Sequence, residues 1–144
     1  MTDLAGFAGL VARDHGLAVV SVLRPDATIS SSVVNAGVLA HPVTGAQAVA
    51  FVSRGDARRL GYLRATPRVT VVLRAGWQWA AAEGPVQLCG PGDPLPGVDV
   101  RLLLRAVFTA AGGTHDDWDT YDAVMAAEHR TAVLMTPDRV YSNA

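Results

Sequence analysis

Residues 47–73 read QAVAFVSRGDARRLGYLRATPRVTVVL and place one short helix between two β-strands. Gln47–Ser53 is an apolar run of strand length, and Arg68–Leu73 is rich in valine, which favours a strand. Between them, Asp56–Ala65 predicts a helix that ends before Pro67. Because this helix starts just after a strand ends, its unpaired N–H groups and the positive end of its dipole favour binding of an anion.

Arginines surround the start of this helix. Arg54 precedes it, Arg58 and Arg59 lie in its first turn, and Arg64 lies near its end. A guanidinium group offers permanently charged donors in a planar fork that matches phosphate oxygens. The pattern therefore indicates a phosphate site that uses Arg58 and Arg59. The alternative is that the arginines of a short surface helix are simply solvated.

The segments on either side of this stretch are mostly predicted strands. Strands are predicted at Leu17–Arg24, Ile29–Leu39, Gln47–Ser53, Arg68–Leu73, Trp77–Cys89, Thr131–Thr136 and Arg139–Tyr141. Three other helices are predicted. The first is capped by Asp3 and the second spans Val98–Ala110. The third is capped by Thr114 or Asp116 and ends near Glu128.

This order of elements excludes a doubly wound nucleotide-binding fold, which needs helices that alternate with strands. The strand spacing is that of antiparallel neighbours, with one helix inserted after the third strand. We therefore predict a mainly β (α+β) fold, a small barrel of about six antiparallel strands with flanking helices. The 144 residues are expected to form one domain, residues 1–144.

Composition narrows the function classes. The formal net charge of −1 argues against nucleic acid as a partner, and the absence of lysine excludes a lysine Schiff base. No apolar stretch reaches the roughly 20 residues of a membrane span, and no leader peptide is recognised, so a cytoplasmic protein without a membrane partner is expected. The single cysteine, Cys89, allows no internal disulfide and is expected to be buried.

Catalytic and metal-binding motifs are not recognised in the sequence. The four histidines show no paired metal spacing, and His115-Asp116-Asp117 is better interpreted as a helix N-cap cluster, so no metal is expected. There is no Ser-His-Asp or Cys-His pattern, so a hydrolase has little support and no catalytic side chain is assigned.

The order of these segments resembles the split β-barrel flavin and deazaflavin oxidoreductases, the group related to pyridoxamine 5′-phosphate oxidase and its FMN-binding split barrels. Within that family, the chain most resembles the actinobacterial branch that uses the deazaflavin coenzyme F-420. The segments that carry the resemblance are LAVVSVLRPDATISSSVVNAG (residues 17–37), FVSRGDARRLGYLRATPRVTVVLRAG (51–76), WQWAAAEG (77–84) and AAGGTHDDWDTYDAVMAAEHRTAVLMTPDRVYSN (110–143).

The resemblance implies a set of cofactor-binding residues. The family pattern is a basic residue followed by leucine, then a Leu-Arg pair, then proline. In this sequence it falls on Arg59, Leu60, Leu63, Arg64 and Pro67. The resemblance therefore implies that Arg59 is the first phosphate ligand and Arg58 the second. The second strand of relatives runs beside the flavin-like ring. The remaining candidates are Ser31, Ser32, Asn35, Ser53, Arg54, Arg64, Trp77 and Trp79.

Two of these assignments stay open on the sequence alone. A one-residue slip in register would exchange the two faces of the second strand, so its inward side chains are not fixed. Trp77 and Trp79 share a strand face at period two, and that face is either a pocket wall or part of the barrel core or a dimer interface.

The resemblance also implies the activity. It implies an oxidoreductase that transfers a hydride between F-420 and a small unsaturated or quinone-like organic substrate, and a homodimer whose cofactor sites lie at the subunit interface. The alternatives are an FMN-dependent oxidase, reductase or FMN-binding protein of the same fold, and a module that binds a cofactor or ligand without turnover. A tetrapyrrole ligand is a weaker alternative, because no histidine has an obvious axial-ligand context. Arg54, Arg64 and Arg68 are candidates for a groove along the polyglutamate tail of F-420, and Tyr62, Tyr121 and Tyr141 for proton delivery.

Overall fold

A computed structural model of the protein describes residues 3–144. Its elements in chain order are α1 (Leu4–Val11), β1 (Leu17–Leu23), β2 (Ile29–Ala40), β3 (Gln47–Ser53), α2 (Arg58–Ala65), β4 (Arg68–Ala75), β5 (Gln78–Cys89), α3 (Val100–Ala110), α4 (Trp118–Ala127), β6 (Thr131–Met135) and β7 (Arg139–Ser142).

Six strands close into an antiparallel barrel. They neighbour one another in the order β4-β1-β2-β3-β6-β5, and β4 pairs again with β5 to close the ring, while β7 extends the sheet from the outer edge of β5. Two strands change partner along their length. Residues 29–35 of β2 pair with β1, and residues 36–40 pair with β3. Along one edge of β5, residues 80–83 pair with β7 and residues 86–89 pair with β6. The predicted barrel of about six strands is confirmed.

Two apolar cores stabilise this arrangement. Alternate residues of the strands fill the barrel interior, as Ala18, Val20 and Val22 do on β1, and α1 and α2 add their apolar faces to that core. A second core lies where α3 packs on the outside of β3 and β6 and α4 packs against α3. Because apolar residues cover both its faces, every residue of β6 is buried, and the buried Cys89 also belongs to this outer core, as predicted.

The starts of α2 and α4 differ from the sequence prediction for local reasons. The helix α2 begins at Arg58 rather than Asp56; Ala57 occupies the N-cap position in extended backbone, and the Asp56 carboxylate forms an exposed ion pair with Arg54 at 3.3 Å. The cap of α4 is neither Thr114 nor Asp116; the side chain of Asp117 accepts the hydrogen bond from Thr120 N–H.

No helix within residues 3–144 combines the length and the apolar character that a membrane span requires.

Candidate cofactor site

A cavity of about 630 Å³ lies between the start of α2, the outer side of β2 and the helices α3 and α4. Its volume falls in the range of about 300–1,000 Å³ that is typical of sites for small molecules and cofactors. Three arginines line one part of it: Arg54, Arg59 and Arg130. Aromatic and aliphatic side chains line another part: Phe108, Tyr121 and Met125 among them.

Arg59 differs from the other two arginines because it has no acidic partner. Its Nη2 donates to Ser32 Oγ at 2.6 Å and its Nη1 to Ser53 Oγ at 3.2 Å, and its guanidinium carbon lies 5.8 Å from the centre of the Phe51 ring. Within the described chain, no Asp or Glu forms an ion pair with Arg59, and partial burial lowers its pKa. A partly desolvated cation held only by neutral hydroxyls attracts an anion strongly.

The start of α2 adds backbone donors on the same side of the cavity. Ala57 lines the cavity and occupies the N-cap position, where no side chain accepts a hydrogen bond from the first turn. Because the first N–H groups of a helix have no partner within it, they remain open to an anion. The combination of this helix start with Arg59 suits a phosphate group.

Arg54 and Arg130 reach the cavity through the pairing of β3 with β6. Ser53 pairs with Thr131, so the arginines that flank these two residues lie at the same end of neighbouring strands. The N–H of Gly55 donates to the carbonyl of Glu128 at 3.1 Å, which fastens the loop after β3 to the connection before β6. A Cβ atom on Gly55 would lie only 2.5 Å from the His129 carbonyl oxygen, so this close approach requires glycine.

The apolar part of the cavity belongs to the helical layer outside the barrel. Phe108 of α3 and Tyr121 of α4 contact each other with ring centres 5.1 Å apart, and Met125 follows one turn after Tyr121. The Tyr121 hydroxyl donates to the Leu104 carbonyl at 3.1 Å, and burial raises the pKa of this phenol. Of the three tyrosines proposed for proton delivery, Tyr121 alone lines the cavity, and its hydroxyl proton is already engaged.

The register of β2 decides which of its polar residues reach the site. Ser32 reaches Arg59, and Asn35 lines the cavity while its side-chain amide donates to the His15 carbonyl at 2.8 Å. Ser31 points to the face opposite that of Ser32, where its hydroxyl lies 2.9 Å from the facing serine hydroxyl of β1. The structure thus places Asn35 in the cavity wall, connects Ser32 to the site through Arg59, and leaves Ser31 out of the lining.

Four other candidate residues lie away from the cavity lining. Arg58 is exposed at the start of α2, and Arg64 forms an ion pair with Asp93 at 2.6 Å beside a different, open groove. Trp77 is 94% exposed in the turn before β5, and Trp79 packs edge-on against a tyrosine of β7. The two tryptophans therefore do not share a strand face, because the strand begins one residue after Trp77.

Sequence reasoning missed the contribution of the α3–α4 region. Arg130, Phe108 and Met125 were not among the candidates, and neither was His15, whose φ of 58° lies in the left-handed region. One signal for Arg130 is present in the sequence, since an arginine directly before a predicted strand must lie at that strand's end. Metal binding finds no support in the described residues, which contain no group of three His, Cys, Asp or Glu side chains placed to hold an ion.

Comparison with solved structures places this barrel among known folds. The chain matches a conserved hypothetical protein of Mycobacterium tuberculosis at 17% identity and a TM-score of 0.69, covering 99% of this chain and 84% of that one. It matches a pyridoxamine 5′-phosphate oxidase-related, FMN-binding protein of Nostoc punctiforme at 8% identity and a TM-score of 0.64, covering 96% and 82%. The fold is the split β-barrel.

A third split-barrel neighbour is an F-420 reductase, matched at 12% identity and a TM-score of 0.64 over 98% of each chain. No family model matches the sequence. At these identities the likeness establishes the fold, and the fold alone does not fix a function, which has to be argued from the residues of the site.

Proposed function

We propose that this protein is an oxidoreductase that binds coenzyme F-420 and transfers a hydride between it and a small unsaturated or quinone-like organic molecule. The observation that carries the proposal is Arg59, a partly buried cation without an acidic partner at the start of α2. The residues present fit a phosphate-bearing organic cofactor, because the phosphate site adjoins an apolar wall of suitable size.

The residues of the chain would divide the work of binding. Arg59 and the open N–H groups of α2 would hold the phosphate, and Ser32 and Ser53 would fix the guanidinium in place. Phe108 and Met125 would pack against the organic part of the ligands and exclude water. The bound deazaflavin would supply the hydride chemistry, so the chain needs no nucleophile of its own.

The choice between F-420 and FMN rests on the charge of the cavity. Two arginines besides Arg59 line it, and each forms an ion pair with one carboxylate, Arg54 with Asp56 and Arg130 with Glu128. Of the arginines proposed for the tail of F-420, Arg54 lines this cavity and its ion pair is exposed to solvent, whereas Arg64 and Arg68 do not line it. We therefore place F-420 first and keep FMN as the alternative cofactor.

Absorption spectroscopy tests the proposal directly. The purified protein is titrated with F-420 and with FMN, and the reduced complex is then mixed with a panel of enones and quinones while the cofactor spectrum is recorded. We expect F-420 to bind more tightly and its reduced form to be reoxidised by at least one acceptor. Tight FMN binding without F-420 binding would favour the alternative cofactor, and cofactor binding without reoxidation would favour a binding module.

We also propose a homodimer that uses the outer face of the β1–β2 hairpin. Apolar side chains on this face remain 42–65% exposed: Leu17, Val19, Leu23, Ile29 and Val33. They lie together because Val19 pairs with Val33 and Leu23 with Ile29. Contiguous exposed apolar surface of this kind marks an interaction site. Since Val33 also lines the cavity, a second subunit on this face would complete the cavity wall.

A charge placed on this face should separate the subunits. We expect Val19→Glu to convert a dimer to a monomer in size-exclusion chromatography with light scattering, because a buried unpaired carboxylate is costly. Val43→Glu is the control, since Val43 is equally apolar and 60% exposed but lies in the β2–β3 turn. A wild-type protein that is monomeric at all concentrations would contradict the proposed dimer.

A further inference from the structure

Arg130, which lines the cavity, has unused hydrogen-bonding capacity. Its Nε and Nη2 atoms lie 2.9 and 2.8 Å from the same oxygen, Oε1 of Glu128. A guanidinium has five N–H donors, and this contact occupies one edge of its planar fork. In residues 3–144 no other acceptor is recorded for the side chain, so the edge that carries Nη1 remains open to a second anion.

The surroundings of Arg130 differ from those of Arg59. The backbone N–H of Arg130 donates to the Met125 carbonyl at 3.0 Å, which holds the residue against the end of α4. Burial raises the pKa of Tyr121 and the positive charge of Arg130 partly offsets that rise, as expected for a guanidinium close to the phenol. Arg59, in contrast, is anchored to serines of β2 and β3. The two cations are therefore fixed by different parts of the fold.

We propose that Arg130 binds a carboxylate group of an organic ligand, separate from the phosphate held by Arg59. The inference rests on the function proposed above. A planar guanidinium with one free edge matches a carboxylate, and the adjoining Phe108 and Met125 suit the apolar body that carries it. Glu128 is the positioning residue, because it holds the guanidinium at the cavity wall. The carboxylate belongs either to the tail of F-420 or to the organic acceptor.

Titrations with two cofactors test the first source. Wild type, Arg59→Gln and Arg130→Gln are titrated with FMN, which carries a phosphate alone, and with F-420, which carries a phosphate and carboxylates. If the tail supplies the carboxylate, Arg130→Gln weakens F-420 binding about tenfold and FMN binding less than twofold. Arg139→Gln is the matched control, since Arg139 is 72% exposed and lies on β7. Thermal melting verifies that each variant folds.

Binding of a charged and an uncharged acceptor analogue tests the second source. Cinnamate and cinnamamide have the same apolar body and differ in charge, and their affinities for the cofactor-loaded protein are measured by NMR titration. If the acceptor supplies the carboxylate, wild type prefers cinnamate about tenfold and Arg130→Gln abolishes that preference. Arg130→Lys should retain part of it, because the charge remains while the planar fork is lost.

The outcomes separate this inference from the proposed function. The inference is overturned if Arg130→Gln binds all four ligands as wild type does, or if it weakens FMN as much as F-420, since Arg130 would then share the phosphate. In either case, if Arg59→Gln no longer binds F-420 or FMN, the proposed phosphate site at Arg59 is still supported. If Arg59→Gln instead binds both cofactors like wild type, the proposed function itself fails.

Discussion

Replacing Arg59 with alanine is expected to weaken binding of the phosphate-bearing cofactor by about 10- to 150-fold. The estimate corresponds to the roughly 1.5–3 kcal/mol of a hydrogen bond to a charged group. The loss of affinity should lie at the upper end of that range, because Arg59 is partly desolvated and forms no ion pair with a carboxylate of the described chain. Titration of the variant with F-420 and FMN, followed by fluorescence or absorption, measures the loss.

The same substitution should leave the fold intact. Arg59 is a partly buried charge without an acidic partner, and burial of such a charge opposes folding. We therefore expect the melting temperature of Arg59→Ala without cofactor to equal or exceed that of wild type. Arg139→Ala, which removes an exposed arginine of β7, controls for the net charge of the protein. Unchanged cofactor affinity in Arg59→Ala would remove this residue from the site.

The barrel could be predicted because its strands carry a local signal. The strand β1 buries Ala18, Val20 and Val22 on one face and turns the residues between them outward, and this alternation is visible in the sequence. The turns are also local, as the Pro25-Asp26 corner between β1 and β2 illustrates. The closing pair β4–β5 follows from a short turn, since consecutive strands usually lie side by side.

The positions of the two tryptophans could not be predicted in the same way. A period-two pattern places residues on one face only if both belong to the strand, and β5 begins at Gln78. Gly76 has a φ of 61°, which only glycine adopts freely, and the resulting turn leaves Trp77 in solvent. Because β5 begins one residue later than predicted, Trp77 lies on the exposed surface instead of on a face of the strand.

The cavity depends on contacts between residues far apart in the chain, which the sequence does not reveal. Arg54 and Arg130 line the same cavity because Ser53 pairs with Thr131, a register that follows from closure of the whole barrel. The contribution of Phe108 depends equally on where α3 packs on β2. Local patterns predicted a helix in this stretch and pointed to Arg58 and Arg59, and the family resemblance put Arg59 first, whereas the opposite wall required the tertiary structure.

Gly37→Ala is expected to destabilise the protein by about 3 kcal/mol, a magnitude typical of severe overpacking. A Cβ atom on Gly37 of β2 would lie 2.3 Å from the carbonyl carbon of Ala110 and 2.5 Å from the backbone nitrogen of Ala111. These are backbone atoms at the end of α3, so no side-chain rotation relieves the clash. For a chain of this size the loss lowers the melting temperature by about 10 °C, which calorimetry measures.

The same substitution connects stability to the proposed site. The residues that follow the clash, Ala111 and Gly112, line the cavity, so displacement of α3 should also reduce cofactor affinity. Gly9→Ala is the matched control, because a Cβ there meets no atom within 4 Å and alanine favours the helix α1 by about 0.5–1 kcal/mol. If Gly37→Ala melts like wild type, α3 is free to move away from β2, and the cavity wall that it forms is not a fixed part of the barrel.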